Sequence, residues 1–264
     1  MTATVTAPRD ATPPVVDDPP APSLVRLTLI EFRKTVDTRS GRWLLIVIAL
    51  CTPALMPLIL FTMPAEEQTL RELFIASQAG PMILLPVLGI LSVTSEWSQR
   101  TALTTFALVP HRRRVLAAKL PACALPAAVF VGIGLAGSVA ARAIGGATGR
   151  SEGSWSLPPE LVGQTLLTSV VLVVMGVAFG LVLGSPASAI VLYFVLPTLW
   201  TTLGEMVRRL TGPARWLDTN KTLESLASPD VTGVEWARVG TSVAVWVLLP
   251  LLIGTIRLVR REVK

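Results

Sequence analysis

Histidine, cysteine and charged side chains are scarce in this chain of 264 residues. The single histidine, His111, excludes an HExxH zinc site and leaves one candidate base for a Ser/His/Asp arrangement. No lysine follows a glycine, so the GxxxxGK phosphate-binding motif is missing and the chain cannot bind ATP through a P-loop. Cys51 and Cys123 lie in apolar segments, which favours packing roles over a disulfide or metal site. We therefore expect that this chain is not an enzyme and that it binds no cofactor.

Charged residues make up 15% of the chain, whereas soluble domains carry about 25%. Hydrophobic residues make up 52%, and the mean hydropathy is +0.63. The net charge of +6 could suggest nucleic acid, but the basic residues stand beside apolar segments rather than on a polar surface. The composition therefore predicts the lipid bilayer as a partner and no nucleic acid.

Long apolar runs recur along the chain, and none alternates with the period of two that a membrane β-strand needs. A hydrocarbon layer of about 30 Å requires roughly 20 apolar residues of helix. The sequence predicts an all-α polytopic membrane protein with about six transmembrane helices within a domain spanning residues 43–256. The expected spans are Trp43–Met63, Phe74–Ser95, Val115–Ala141, Leu161–Leu183, Ala187–Leu203 and Val239–Ile256, with spans four and five joined as an antiparallel hairpin.

Lysine and arginine are unevenly distributed around these spans, and basic loops stay in the cytoplasm. The basic segments before span one, between spans two and three, and after span six fall on one side. We expect both the N-terminus and the C-terminus to be cytoplasmic, with no cleaved signal peptide. Residues 1–22, rich in proline and aspartate, are expected to be a disordered cytoplasmic tail, and residues 257–264 a basic one.

Two amphipathic segments are predicted on the cytoplasmic side. In residues 23–42, Val25, Leu29, Phe32 and Val36 form one apolar face, which is typical of a helix lying on a membrane. In the connection of about residues 96–114, the apolar Leu103, Phe106 and Pro110 recur at helical spacing before three arginines. From physics alone this helix either docks into a partner's groove or anchors to anionic lipid. The basic residues expected to accompany the first face are Arg26, Arg33 and Lys34.

Two further features lie toward the C-terminal half. Gly176, Gly180 and Gly184 recur every fourth residue on span four, a pattern that permits close helix packing, either within one subunit or across a dimer. We favour packing within the subunit. The loop of about residues 205–237 lies outside the cytoplasm and is partly apolar, so it is either an ordinary exposed loop or a folded extracellular segment.

The connection between spans two and three resembles that of the permease subunits of type-2 ATP-binding-cassette (ABC) exporters, in their small, actinobacterial-looking bacterial form. These permeases carry a glutamate at the end of the second span, then a threonine, a proline, an arginine and an alanine-lysine pair that opens the third span. Arg100 departs from the pattern, because many members have glycine there. The matching residues here are Glu96, Thr101, Pro110, Arg114, Ala118 and Lys119.

The resemblance implies that residues 96–114 are the coupling helix that enters a groove on a separate P-loop ATPase subunit. It also implies that residues 23–42 are the connecting helix and that residues 205–237 hold short extracellular helices. Expected partners are the ATPase, which would hold ATP and Mg, and a second permease copy, identical or related, in the bacterial plasma membrane. The expected ATPase-coupling residues are Glu96, Thr101, Leu103, Phe106, Pro110, Arg112, Arg113, Arg114 and Lys119.

The implied function is export of a drug, lipid or peptide with ATP hydrolysed by the partner. One alternative is a structural or regulatory membrane protein that binds a cytoplasmic partner without transporting anything. A membrane-embedded enzyme is a further class, but the spans carry no evident catalytic groups.

Overall fold

The computed structural model describes residues 22–98 and 112–260, apart from the side chains of residues 96–98 and 112. All regular elements among these residues are helical. The predicted disordered tail, except Pro22, and the last four residues of the basic tail lie outside the described residues. The helices are α1 (Leu24–Asp37), α2 (Arg39–Thr62), α3 (Leu70–Ser77), α4 (Ala79–Ser98), α5 (Arg112–Ala147), α6 (Pro159–Leu183), α7 (Pro186–Met206), α8 (Thr211–Leu217), α9 (Thr219–Glu224), α10 (Gly233–Val243) and α11 (Leu249–Arg260).

Six helical segments of the described chain are long and apolar enough to cross a membrane. The predicted all-helical architecture, with six helices long and apolar enough to span a membrane, is thereby confirmed for the described residues, and each expected span overlaps one of these segments. Span two combines α3 and α4, which are separated by Gln78 alone, and span six combines α10, a π-helical turn at Ala244–Leu248, and α11. The six segments are Arg39–Thr62, Leu70–Ser95, Arg113–Ala147, Pro159–Leu183, Pro186–Met206 and Gly233–Arg260.

Local sequence explains where several helices begin and end. Thr38 is the last cap of α1 and the first cap of α2, and its hydroxyl accepts from the Gly41 N–H at 3.3 Å. Gly184 adopts a left-handed φ of 68° that ends α6, and Pro186 then begins α7 at a position where a missing N–H is harmless. The resulting hairpin is held by an edge-on contact between Phe179 and Tyr193, with ring centroids 5.8 Å apart.

Spans two, three and four form the core of the molecule. In the most apolar stretch of each span, 56% of the residues are buried in spans two and four and 44% in span three. The buried share is only 17%, 22% and 17% in spans one, five and six. Leu85, Phe130 and Val173 bring the three central spans together in one buried cluster, to which Ile48 of α2 is added. The other three spans therefore surround this core and expose much of their apolar surface.

Glycines permit the closest approach within the core. A Cβ on Gly176 or Gly180 of α6 would collide with α4 at Pro86 or Val93, and one on Gly89 of α4 would lie 2.5 Å from the Val173 carbonyl oxygen. The stripe predicted on span four thus packs against span two of the same chain at two of its three positions. Its third member, Gly184, ends the helix.

The connection between spans five and six is folded, since it contains α8, α9 and a short 3-10 turn at Ser225–Ala227. Asp218 caps α9 and accepts a hydrogen bond from the Thr201 hydroxyl of α7 at 2.8 Å. The Trp246 indole N–H donates to the Leu217 carbonyl at 2.6 Å and ties this segment to span six.

The loops at the end of the bundle opposite α1 are joined by a buried arginine. Arg142, near the end of α5, donates to the carbonyl oxygens of Ser151, at 2.9 Å, and Gly153, at 3.1 Å, and its guanidinium stacks on Trp155. The Ser151 hydroxyl donates in turn to the Gln68 carbonyl at 2.9 Å. This network connects the loop after span three to the loop before α3.

Candidate functional site

A buried ion pair joins α1 to the first turns of α5. The Lys119 ammonium contacts the Glu31 carboxylate, and each side chain is only 8% exposed. Lys34 pairs with the other carboxylate oxygen at 2.6 Å, and Lys119 also donates to the Ser92 carbonyl of α4 at 3.2 Å. Lys119 therefore connects three helices, α1, α4 and α5, at one end of the bundle.

The two lysines determine the charge state of Glu31. Burial raises the pKa of the Glu31 carboxyl, but the charges and hydrogen bonds of Lys119 and Lys34 lower it by more, so the pKa lies below its usual range. The carboxylate is consequently ionised at neutral pH. Breaking a buried ion pair is costly, so loss of Glu31 or of Lys119 would weaken the attachment of α1 to α5.

A second contact holds the start of α1 beside α5. Arg114 donates to the Pro22 carbonyl at 2.9 Å, and the Ser23 side chain caps α1 by accepting from the Arg26 N–H. Leu27, one turn before Glu31, is also buried. These contacts place Leu27 and Glu31 on the side of α1 that faces the protein.

The apolar stripe predicted on α1 faces away from the bundle. Val25 is 70% exposed and Leu29 is 50% exposed, while Phe32 and Val36 are half-buried. Such an exposed apolar face beside membrane spans suits a helix at a bilayer surface. The accompanying basic residues differ, because Arg26 and Arg33 are exposed whereas Lys34 pairs with Glu31.

The predicted ATPase-coupling residues are only partly within the described chain. Glu96 belongs to α4, and Arg112 begins α5. Arg113 is exposed. Arg114 contacts Pro22, just before α1 begins, and Lys119 contacts Glu31 within α1. The remaining residues, Thr101, Leu103, Phe106 and Pro110, lie outside the described residues.

The end of α4 and the start of α5 are the two ends of the predicted coupling connection. Ser92 precedes that connection by about one helical turn and Lys119 follows it, so the Lys119 contacts join both ends to α1. The Cys123 thiol also contacts the Ser92 hydroxyl at 3.2 Å. A displacement of the connection would therefore be transmitted to α1 as well as to spans two and three.

Sequence reasoning missed Glu31 and Arg142. Glu31 lies off the predicted apolar face and three residues before Lys34, a spacing that signals an ion pair but gives no sign of Lys119. Arg142 follows the predicted end of span three by one residue, so it resembled a boundary residue rather than a buried donor. Both roles depend on partners from other helices or loops.

Among the described residues, no group of three or more His, Cys, Asp or Glu side chains could hold a metal ion. No protein-family model matches this chain, and no curated protein is matched to it by similarity.

Proposed function

We propose that this chain is the permease subunit of an ABC exporter in the bacterial plasma membrane. Two copies, or one copy with a related permease, form the pathway for a drug, lipid or peptide. A separate P-loop ATPase binds ATP and Mg and docks against residues 96–114. In this orientation α1 and both termini are cytoplasmic, and Arg142 lies at the outer end.

The observation that carries the proposal is the attachment of α1 to both ends of the coupling connection through Lys119. A helix that receives work from a partner must be connected mechanically to the spans that it moves. The buried contacts of Lys119 with Glu31 and with the Ser92 carbonyl provide such a connection, because separating the helices would break both contacts. The surrounding spans expose apolar surface to lipid or a second permease.

The second candidate is a structural or regulatory protein that binds a cytoplasmic partner without transport. The same docking surface and the same ion pair would serve it. The two functions differ in one respect, because a permease must couple ATP hydrolysis by its partner to movement of a cargo, whereas a scaffold need not.

Replacement of two apolar residues of the coupling helix, Leu103→Asp with Phe106→Asp, tests the docking claim. We expect co-purification of the proposed partner ATPase to fall roughly tenfold or more, because charged groups cannot enter an apolar groove. The spans should still insert. The measurement is the ATPase recovered per permease after extraction of the membranes.

A matched control is Val207→Asp, a similar change at an exposed residue beyond the end of α7. It should leave ATPase recovery unchanged. Full ATPase recovery with the double variant would remove the docking claim. If the unmodified chain binds the ATPase but shows no ATP-dependent transport, the structural or regulatory function is favoured.

A further inference from the structure

A cavity of about 420 Å³ lies between the start of α6 and the loop that leads into α10, at the end of the bundle opposite α1. This volume is within the range of about 300–1,000 Å³ typical of small-molecule sites. One face of α6 forms the first wall, with residues spaced three to four apart. The two walls are lined by Glu160, Gln164 and Leu167 on α6, and by Pro229, Val231 and Trp236 opposite.

The second wall of the cavity is held in place by two other spans. With its amide oriented to satisfy its neighbours, Gln164 donates to the carbonyl oxygens of Leu226, at 3.0 Å, and Ser228, at 3.1 Å. Arg71 of α3 donates to the Ala227 carbonyl between them at 3.0 Å. Spans two and four thus position the loop that leads into the second wall.

The charge around the cavity is negative. Glu160 is the charged lining residue, it is exposed, and no described cation pairs with it. Asp230, between two lining residues, is exposed as well. Two cations lie nearby but do not line the cavity, namely Arg71, which pairs with Glu72 at 2.8 Å, and Arg238, which stacks on Trp216. An anion in this cavity would meet the Glu160 carboxylate as the charged group of its lining.

Besides the Glu160 carboxylate, the cavity offers a cation the aromatic side chain of Trp236. Its side chain is 42% exposed and forms part of the wall opposite the Glu160 helix. An indole face attracts a cation through its quadrupole, and the adjacent apolar side chains of Leu167 and Pro229 accept nonpolar groups. A carboxylate, an aromatic side chain and apolar walls together match an organic cation rather than a phosphate.

We propose that this cavity binds an amphiphilic organic cation, with its charge between Glu160 and the Trp236 indole and its apolar body against Leu167 and Pro229. The proposal is independent of ATPase docking. It concerns a surface at the other end of the molecule and does not require this chain to be a transporter.

The test uses two probes of the same shape and opposite charge, tetraphenylphosphonium and tetraphenylborate. Their binding to the full chain in lipid nanodiscs is measured by equilibrium dialysis, with empty nanodiscs subtracted. We expect saturable binding of tetraphenylphosphonium alone. Glu160→Gln should weaken it about fivefold and Trp236→Ala about threefold, as partly exposed ionic and cation–π contacts allow. Glu160→Lys should reverse the preference, so that tetraphenylborate binds.

Matched controls are Glu152→Gln and Trp43→Ala, which change an exposed carboxylate and an exposed indole away from the cavity. Neither should alter binding. The reversal by Glu160→Lys is a gain that misfolding cannot produce. Equal binding of both probes to the unmodified chain, or unchanged tetraphenylphosphonium binding by Glu160→Gln, would overturn the proposal.

Discussion

Glu31 illustrates how a single acidic residue positions a helix against a bundle. It is buried on the protein-facing side of α1 and contacts two lysines, one of which lies 88 residues away in the chain. The apolar face of α1 is exposed and can rest in lipid. The ion pair therefore specifies the rotation of α1, which hydrophobicity alone would leave free to turn its apolar face toward the bundle.

Loss of this ion pair is the first residue-scale prediction. Glu31→Ala should weaken the attachment of α1 by on the order of 3 kcal/mol, because the buried ion pair that joins α1 to α5 would be broken. Hydrogen exchange of the α1 backbone amides in detergent should become faster, while exchange in α6 stays unchanged. Lys119→Ala should have a smaller effect in the same direction, because Glu31 keeps its ion pair with Lys34.

The pH dependence follows from the pKa of Glu31. A carboxyl whose pKa is lowered on folding contributes stability above its unfolded value and loses it as pH falls through the folded value. The α1 attachment should therefore persist throughout the neutral and mildly acidic range and fail only below the usual carboxyl range.

The exchanged pair Glu31→Lys with Lys119→Glu should recover part of the hydrogen-exchange protection of α1 that either single variant loses. No recovery would argue against a direct ionic contact.

At the scale of elements, the contact between spans two and four is the tightest in the bundle. Gly89 on one helix and Gly176 and Gly180 on the other bring the two backbones together. Close packing of backbones adds dispersion contacts and shortens weak Cα–H···O contacts, which compensate in a membrane for the absence of a hydrophobic driving force between helices. These glycines therefore support packing between spans two and four.

Gly176→Leu should destabilise the bundle, because even a Cβ at this position would collide with the Pro86 backbone of α4. We expect a loss of about 3 kcal/mol or more, as for overpacked cores, and a lower midpoint of thermal unfolding in detergent followed by tryptophan fluorescence. Gly132→Ala on α5 is the control, since nothing lies within 4 Å of a Cβ there. Equal midpoints for the two variants would contradict the close contact.

For the whole molecule, the burial pattern separates a core of spans two to four from three surrounding spans. The apolar surfaces of spans one, five and six suit contact with lipid. The α1 end and the Arg142 end differ in chemistry. The first carries the ion-paired helix α1, and the second carries folded loops and a cavity with a carboxylate.

The orientation of these two ends can be measured with single cysteines. After replacement of Cys51 and Cys123 by alanine, Arg33→Cys at the α1 end should react with a membrane-impermeant maleimide only in permeabilised cells. Glu152→Cys at the other end should react in intact cells. Both native side chains are exposed, so accessibility is limited by the membrane rather than by packing. The opposite pattern would place α1 outside and invalidate the proposed coupling surface.

Much of this architecture could be predicted because its causes are local. Most spans are continuous apolar runs, and the amphipathic stripe of α1 is visible in fourteen residues. Physical reasoning reached these features because bilayer thickness and backbone hydrogen bonding act on consecutive residues. The rotation of α1 was not predictable in this way, since it depends on a lysine from another span.

By itself, then, the sequence determined the number of spans, their approximate limits and the amphipathic character of α1. Only the tertiary structure decided which spans form the core, that Gly176 and Gly180 face span two, and that Glu31 pairs with Lys119. The physical reason is the distance along the chain over which each interaction acts. Hydropathy and capping act over a few residues, whereas ion pairing and close helix packing depend on side chains that lie far apart in the chain and meet only in the folded bundle.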